Sequence, residues 1–302
     1  MNNLFGRYGP VNRYIEKNIR WIFPLPAALF ILLMMAFPVI FTFGVSLTDW
    51  SMTTGGTSRF IGLENYITMF KDERFYNAVI NTFYFTALTI VSETVLGVAI
   101  ALILNREFIG KNLVKTILLL PMVTTPVAIG LAWTLFYEPT IGLGNYALKL
   151  LGLPVSNWIA SNTAVIPSIA LVDIWEWTPM IVLIVLAGLA GLPVDPFESA
   201  VVDGAKPHQI FFHITLPLLT PTILIAVVLR SIEAFKTFDI IYTMTGGGPG
   251  YSSETLNILA YKTAFGYFKF GAASSTLFAL FVIVFSSSVV MLFLRKKGSE
   301  RI

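Results

Sequence analysis

Asp173, Glu176, Trp177 and Met180 stand at i, i+3, i+4 and i+7 of one apolar block, so a helix there carries two carboxylates and an indole on a single stripe. A second block repeats the spacing with Arg230, Glu233, Ala234 and Thr237, and adds Lys236 and Asp239 nearby. Carboxylates accept paired hydroxyl hydrogen bonds, and an indole face suits the apolar side of a pyranose. The two stripes therefore suit a polyhydroxylated ligand. The competing reading is structural: an Arg230–Glu233 or Lys236–Asp239 ion pair that only holds helices together. For Glu93, alone in another apolar block, the structural reading is preferred. Asp173, Glu176 and Glu233 outnumber Arg230 three to one, and a desolvated anion beside unpaired carboxylates suffers like-charge repulsion. A neutral polyol or oligosaccharide is the favoured ligand. Arg230 and Lys236 could together hold a sulfonate, phosphate or carboxylate if Glu233 and Asp239 point elsewhere.

Other chemistries lack their residues. With no Cys, thiolate nucleophiles, disulfides and Cys-ligated zinc are excluded. The two histidines, His208 and His213, have no carboxylate arrangement suited to a metal, so no metal site is expected. A nucleotide engine would show GxxxxGK followed by Ser or Thr, and none occurs. The run Gly246, Gly247, Gly248, Pro249, Gly250 has no Lys after it and reads as a flexible external turn. No Ser/His pair or His/Glu metal spacing sits at membrane depth, which argues against an intramembrane enzyme. The chain is not expected to be an enzyme. A rival function is an ion-coupled secondary transporter with Asp173 or Glu176 as proton carrier.

The elements that must hold these stripes are membrane helices. Of 302 residues, 56% are hydrophobic and only 12% charged, and the mean hydropathy is +0.76. The apolar residues fall in six blocks, roughly 22–47, 79–104, 113–136, 165–189, 219–243 and 272–294, each long enough for a helical span. The expected class is an all-α integral membrane protein with six transmembrane helices. The first block follows a polar segment and lacks a small-x-small cleavage pattern, so it is read as a span and not as a signal peptide. Trp21 and Trp50 flank it as interfacial aromatics. A carboxylate at mid-span costs about 2.5 to 3.5 kcal/mol, so the block holding Asp173 and Glu176 must turn its polar side to protein or water.

Six spans put both termini on one side. Arg7, Arg13, Lys17, Arg20, Arg106, Lys111, Lys115, Lys206, Arg295, Lys296, Lys297 and Arg301 lie on that side, twelve cations against six on the other (Arg59, Lys71, Arg74, Lys149, Lys262 and Lys269). Both termini are therefore expected in the cytoplasm. The chain divides into a cytoplasmic tail over 1–21, a transmembrane domain over 22–294 and a cytoplasmic tail over 295–302. The outer segments, about 48–78, 137–164 and 244–271, have the length of a docking surface or a lid. A net charge of +3 is too small for a nucleic-acid surface.

Between the fourth and fifth blocks lies PVDPFESAVVDGAKPHQIFFHITLPLLTP, residues 193–221. Asp195 with Pro196 and Glu198 suits a capping box, and Phe197, Ala200 and Val201 fall on one helical face. Gly204, after Asp203, can take a positive φ and stop that helix. A second short helix restarts near Pro207, presents Ile210, Phe211 and Ile214, and ends before Pro217. The result is a helix–turn–helix with an apolar side available; the plainer alternative is an interfacial hairpin resting on headgroups.

ESA, DGA and ITLP at this spacing resemble the EAA loop of ATP-binding-cassette (ABC) import permeases. Glu198, Ser199 and Ala200 match the opening triplet, with Ser where the first Ala is usual. Asp203, Gly204 and Ala205 match the DGA core, and Phe211, Ile214, Leu216 and Pro217 the tail. IGLENY (61–66), RFYNAVINT (74–82), GLGNY (142–146), DIWEWTP (173–179), AFKTFDIIYTMTGGGPG (234–250) and FKFGAAS (268–274) are similar to the carbohydrate-importer branch, in the manner of the first permease of maltose or glycerol-phosphate systems. The resemblance implies a type I ABC importer permease fold whose coupling helix, formed by Glu198, Ser199, Ala200, Asp203, Gly204, Ala205 and Phe211, seats in a cleft of the ATPase. It also implies a bacterial cytoplasmic-membrane location, a second homologous permease chain in a heterodimer, an ATPase dimer that binds ATP and Mg, and an extracytoplasmic solute-binding protein delivering sugar. No cofactor is expected on this chain itself. In the maltose importer the helices flanking this loop hold the substrate, which implies that role for Asp173, Glu176, Trp177, Met180, Arg230, Glu233, Ala234 and Thr237.

Overall fold

The computed structural model describes residues 18–56 and 58–299, with residue 54 and residues 294–299 described by backbone alone. Of the cations used for orientation, Arg7, Arg13, Lys17 and Arg301 lie outside the described residues, as do most of the 1–21 tail and the end of the 295–302 tail. The side chains of Arg295, Lys296 and Lys297 also fall outside them.

The long helices are α1 (Leu25–Ser46), α3 (Glu73–Leu104), α7 (Val165–Ala190), α10 (Leu216–Lys236) and α13 (Phe270–Ser299). The shorter ones are α2 (Glu64–Met69), α4 (Lys111–Val123), α5 (Pro126–Phe136), α6 (Leu143–Leu150), α8 (Asp195–Val202), α9 (Pro207–Ile210), α11 (Asp239–Thr245) and α12 (Leu256–Tyr261). Five stretches are long and apolar enough to cross a membrane, namely Asn18–Ser46, Glu73–Leu104, Val165–Ala190, Pro207–Lys236 and Phe270–Phe293, and the bent pair α4 and α5 makes a sixth. Among the described residues the only strand-like pairings are two isolated bridges, Thr48–Phe60 and Ser51–Lys269.

Three expected boundaries differ. The third block is not one straight span: α4 and α5 meet at 98°. Thr124 and Thr125 are extended (ψ 148° and 135°) because the ring of Pro126 drives the preceding residue out of the helical region. The fifth block stops at Lys236, where Thr237 turns extended (ψ 120°), and Asp239 opens the separate helix α11. The second short helix of the loop does not end before Pro217. It runs from α9 through a π turn, Phe211–Thr215, into α10, and this wider turn accommodates a proline that has no N–H to donate.

Helix α3 packs along α7, and α10 packs against both. Gly97 sets the first contact: a Cβ there would stand 2.6 Å from Ile181 Cγ2. Gly188 does the same for the α7–α10 pair, where a Cβ would stand 2.7 Å from Thr222 Cγ2. Overpacking such a contact costs typically about 1–3 kcal/mol. Gly97→Val is accordingly expected to lower the melting temperature of the purified protein in detergent, while Gly44→Val in α1, with nothing within 4 Å of the added carbon, leaves it near wild type. Helix α1 packs on α13 with none of its apolar window buried inside the chain.

The motifs in the outer loops act as pins. Asn65 of IGLENY donates to the carbonyls of Ser46 (2.7 Å) and Thr48 (2.8 Å), tying α2 to the end of α1. Asn145 of GLGNY donates to the carbonyls of Pro139 and Ser156 (both 2.9 Å) and accepts from the Trp158 indole at 2.8 Å. Arg74 grips Glu254 with two hydrogen bonds (2.6 and 2.8 Å), Lys262 reaches the same carboxylate at 3.1 Å, and Glu254 is fully buried. The glycine run is no loose turn, contrary to expectation. Gly247 (φ 90°) packs so closely that a Cβ would stand 2.9 Å from Ile258 Cγ2 and 3.2 Å from Lys262 Nζ.

Candidate functional site

Among the described residues three apolar clusters form, and two of them flank the charged residues. Phe85, Ile129, Val165, Ile169 and Ile240 belong to one, and Ala101, Leu104, Ile181, Val185 and Leu219 to the other. Each of α3 and α7 contributes to both clusters, and between its two contributions each carries its carboxylates: Glu93 on α3, Asp173 and Glu176 on α7. Arg230 of α10 enters the same layer. All four side chains are buried.

Arg230 Nε donates to Glu93 Oε2 at 2.7 Å and Nη2 to Glu93 Oε1 at 3.0 Å, a bidentate pair, while Nη2 also donates to Asp173 Oδ2. The Trp177 ring covers the guanidinium, with the Arg230 Cζ 5.3 Å from its centroid. Neither expected ion pair forms. Glu233 is bound by Lys236 at 2.8 Å along the helix, because residues three apart share a face whereas Arg230 turns inward; Asp239 lies beyond the break at Thr237. Among the described residues two buried carboxylate oxygens remain without a hydrogen-bond partner, Asp173 Oδ1 and Glu176 Oε2.

A cavity of about 130 Å³ opens on this layer, lined by Asp173, Glu176, Trp177, Arg230, Glu233 and Thr237 of the two stripes. Lys236, Phe238, Asp239, Ile240 and Pro126 complete the lining. Met180 and Ala234 do not reach it. Ala234 is 2% exposed within the packing of α10, and the helical stripe passes Met180 one turn beyond the cavity. Pro126 lines it because the break between α4 and α5 brings the start of α5 to the cavity. Glu93 was the missed partner of the layer. Its signal was legible, since a carboxylate isolated in an apolar span needs a cation and Arg230 is the only arginine in any of the six blocks.

At the end of the bundle joined to α7 and α10, the 193–221 loop forms the expected hairpin. Helix α8 closes with the Gly204 N–H on the Val201 carbonyl (3.1 Å) and the Ala205 N–H on the Ala200 carbonyl (2.9 Å), with Gly204 at φ 75°. The capping box is not at Asp195. Val194 is already helical (φ −80°, ψ −34°), so Asp195 enters the first turn and its side chain caps nothing. The Lys206 N–H is capped instead by Gln209 Oε1 at 2.8 Å. Glu198, Ser199 and Asp203 are exposed, Ala200, Ala205 and Phe211 half-buried. The protruding apolar residues are Val194 (62% exposed), Val201 (66%), Val202 (86%) and Phe212 (61%). Of these only Val201 stood on a predicted apolar face. Among the described residues no cluster of His, Asp or Glu suits a metal ion.

The family of binding-protein-dependent transport system inner membrane components matches residues 93–297. The chain is 34% identical over 280 residues to the trehalose/maltose transport system permease protein MalF of Thermococcus litoralis, covering 93% of this chain and 94% of that one. It is 36% identical over 264 residues to the sulfoquinovosyl glycerol transport system permease protein SmoG of Agrobacterium fabrum, covering 87% and 84%. Among solved structures, a chain of a bacterial ABC transporter involved in the import of the acidic polysaccharide alginate superposes with a TM-score of 0.80 at 21% identity, over 96% of this chain and 99% of that one.

Proposed function

The chain belongs to the family of binding-protein-dependent transport system inner membrane components, and from that premise we propose that it is the membrane-spanning permease subunit of an ATP-driven importer for a sugar, oligosaccharide or sugar derivative. Transport proceeds by alternating access. ATP and Mg bind an ATPase dimer, an extracytoplasmic binding protein delivers substrate to the outer loops, and a second homologous permease forms a heterodimer with this chain. Both termini, the 193–221 loop and the ATPase lie on the cytoplasmic side.

The observation that carries this reading is the hairpin hinged at Gly204, which offers Val201 and Val202 uncovered at the junction of the two helices that also hold the charged layer. Motion of the hairpin is passed directly to α7 and α10. The substrate path runs past Asp173, Glu176, Trp177, Arg230, Glu233 and Thr237. A cavity of about 130 Å³ is small beside the roughly 300–1,000 Å³ of whole ligand sites, which suits one wall of a path completed by the partner permease. The ion-coupled alternative gains nothing from the comparisons, whose relatives are permeases of binding-protein-dependent transport systems, and Asp173, one of its two candidate carriers, is engaged by Arg230.

The chain has no cysteine, so a single introduced one reports without background. Val202→Cys, co-expressed with the cognate ATPase carrying cysteines around its cleft, is expected to cross-link to it in membranes, and Thr53→Cys in the outer loop is not. Equal cross-linking at both positions, or none at Val202→Cys, would overturn the reading.

A further inference from the structure

Glu93 lies outside the cavity, yet it decides what the cavity can bind. Arg230 is the one guanidinium in the lining, and an arginine there is the natural seat for a sulfonate, phosphate or carboxylate. Glu93 occupies it from behind. The bidentate pair at 2.7 and 3.0 Å takes Nε and one face of Nη2, and Asp173 takes the rest of Nη2. The only other cation in the lining, Lys236, is held at 2.8 Å by Glu233. Among the described residues each cation of the wall is therefore charge-paired with a carboxylate, Arg230 keeping only its Nη1 N–H groups without a partner, while Asp173 Oδ1 and Glu176 Oε2 remain buried acceptors without a donor.

We infer that Glu93 is the specificity-determining residue of this path: by neutralising Arg230 from outside the lining it makes the wall select neutral, hydroxyl-bearing ligands and reject anionic ones. The inference rests on the sugar-importer reading and deepens it. Acceptors without donors are matched by ligand hydroxyl groups, whereas an anion meets two unpaired carboxylate oxygens and only cations whose charge a carboxylate already balances. Glu93 is a positioning residue, since it reaches the ligand only through Arg230. Removing its charge leaves Arg230 balanced by Asp173 alone.

The test uses the assembled transporter in detergent with the binding protein omitted, so that the selection read is the permease's own. The probes are methyl α-glucoside and methyl α-sulfoquinovoside, which share the ring and differ in a hydroxyl against a sulfonate at C6. Saturation-transfer NMR is expected to show that wild type favours the glucoside and that Glu93→Gln shifts the affinity ratio toward the sulfonate by roughly tenfold or more. Glu93→Gln/Arg230→Gln, with the cation also gone, is expected to return to the neutral ring. A merely structural role would weaken both probes alike. A wild type that prefers the sulfonate, or an unchanged ratio in folded Glu93→Gln, overturns the inference and leaves the importer reading standing. If Glu93→Gln does not fold, Glu93→Asp replaces it, its shorter side chain loosening the pair with Arg230 while keeping the charge: a ratio shifted toward the sulfonate supports the inference, and an unchanged ratio in folded Glu93→Asp overturns it. Binding of neither probe by wild type counts against the sugar reading itself, and the inference falls with it.

Discussion

Arg230→Met is expected to destabilise the protein by about 3–5 kcal/mol, enough to deplete the folded protein from the membrane. Among the described residues the guanidinium is the only cation contacting Glu93 and Asp173, and both carboxylates are fully buried. Removing it leaves two charges within a few ångströms of each other in a layer closed on both sides by apolar clusters. The triple replacement Glu93→Leu, Arg230→Met, Asp173→Leu is expected to recover most of the loss, because a buried ion pair exchanged for packed apolar groups is often neutral. Heat resistance of the solubilised chain, followed by size-exclusion chromatography, reads both. Wild-type resistance in Arg230→Met would show that the layer does not bear on the fold.

Gly204→Val is expected to insert and assemble normally but to lose import by an order of magnitude or more. Gly204 sits at φ 75°, where a left-handed backbone costs a non-glycine residue roughly 1–2 kcal/mol and a β-branched one more. Space is not the issue, since a Cβ would meet nothing within 4 Å. The strain falls on the turn, and its relief changes the angle between α8 and α9. ATP hydrolysis then continues without passing its motion to α7 and α10. Gly204→Asn, which tolerates this conformation better, is expected to retain most of the transport. Normal uptake with a normal ATPase response to ligand in Gly204→Val would contradict the hairpin's role.

The spans were legible because a bilayer demands long apolar runs, and the run lengths are visible in composition alone. The hinge at Gly204 was legible for a similar local reason: an Asp-Gly pair closing a short amphipathic stretch leaves few alternatives. Breaks inside spans were harder to read. Pro126 looks like any proline within an apolar run, and Pro217 was read as a stop although a π turn carries the helix past it. The outer motifs gave a resemblance before they gave a reason. Asn65 and Asn145 pin segments 19 and 13 residues away and Arg74 pins Glu254 across 180 residues of sequence, and such pairings leave no periodic trace.

The charged layer shows the same limit. Helical spacing placed Asp173 with Glu176 and Arg230 with Glu233 on their stripes, but it cannot tell which residue on one helix faces which on another. Arg230 turned away from its neighbour in sequence to a carboxylate 137 residues earlier. Met180 and Ala234 satisfied the stripes and still miss the cavity: Met180 lies one turn beyond Trp177, and Ala234, between the lining residues Glu233 and Thr237, is buried in the packing of α10.

ATP hydrolysis by a partner is expected to drive sugar through this chain. Uptake of a radiolabelled neutral sugar by proteoliposomes holding the complete complex, with the binding protein outside and ATP sealed inside, tests it most directly. The account predicts accumulation that needs internal ATP, survives a protonophore and fails in Gly204→Val. Accumulation that proceeds without ATP and collapses with the protonophore would contradict it.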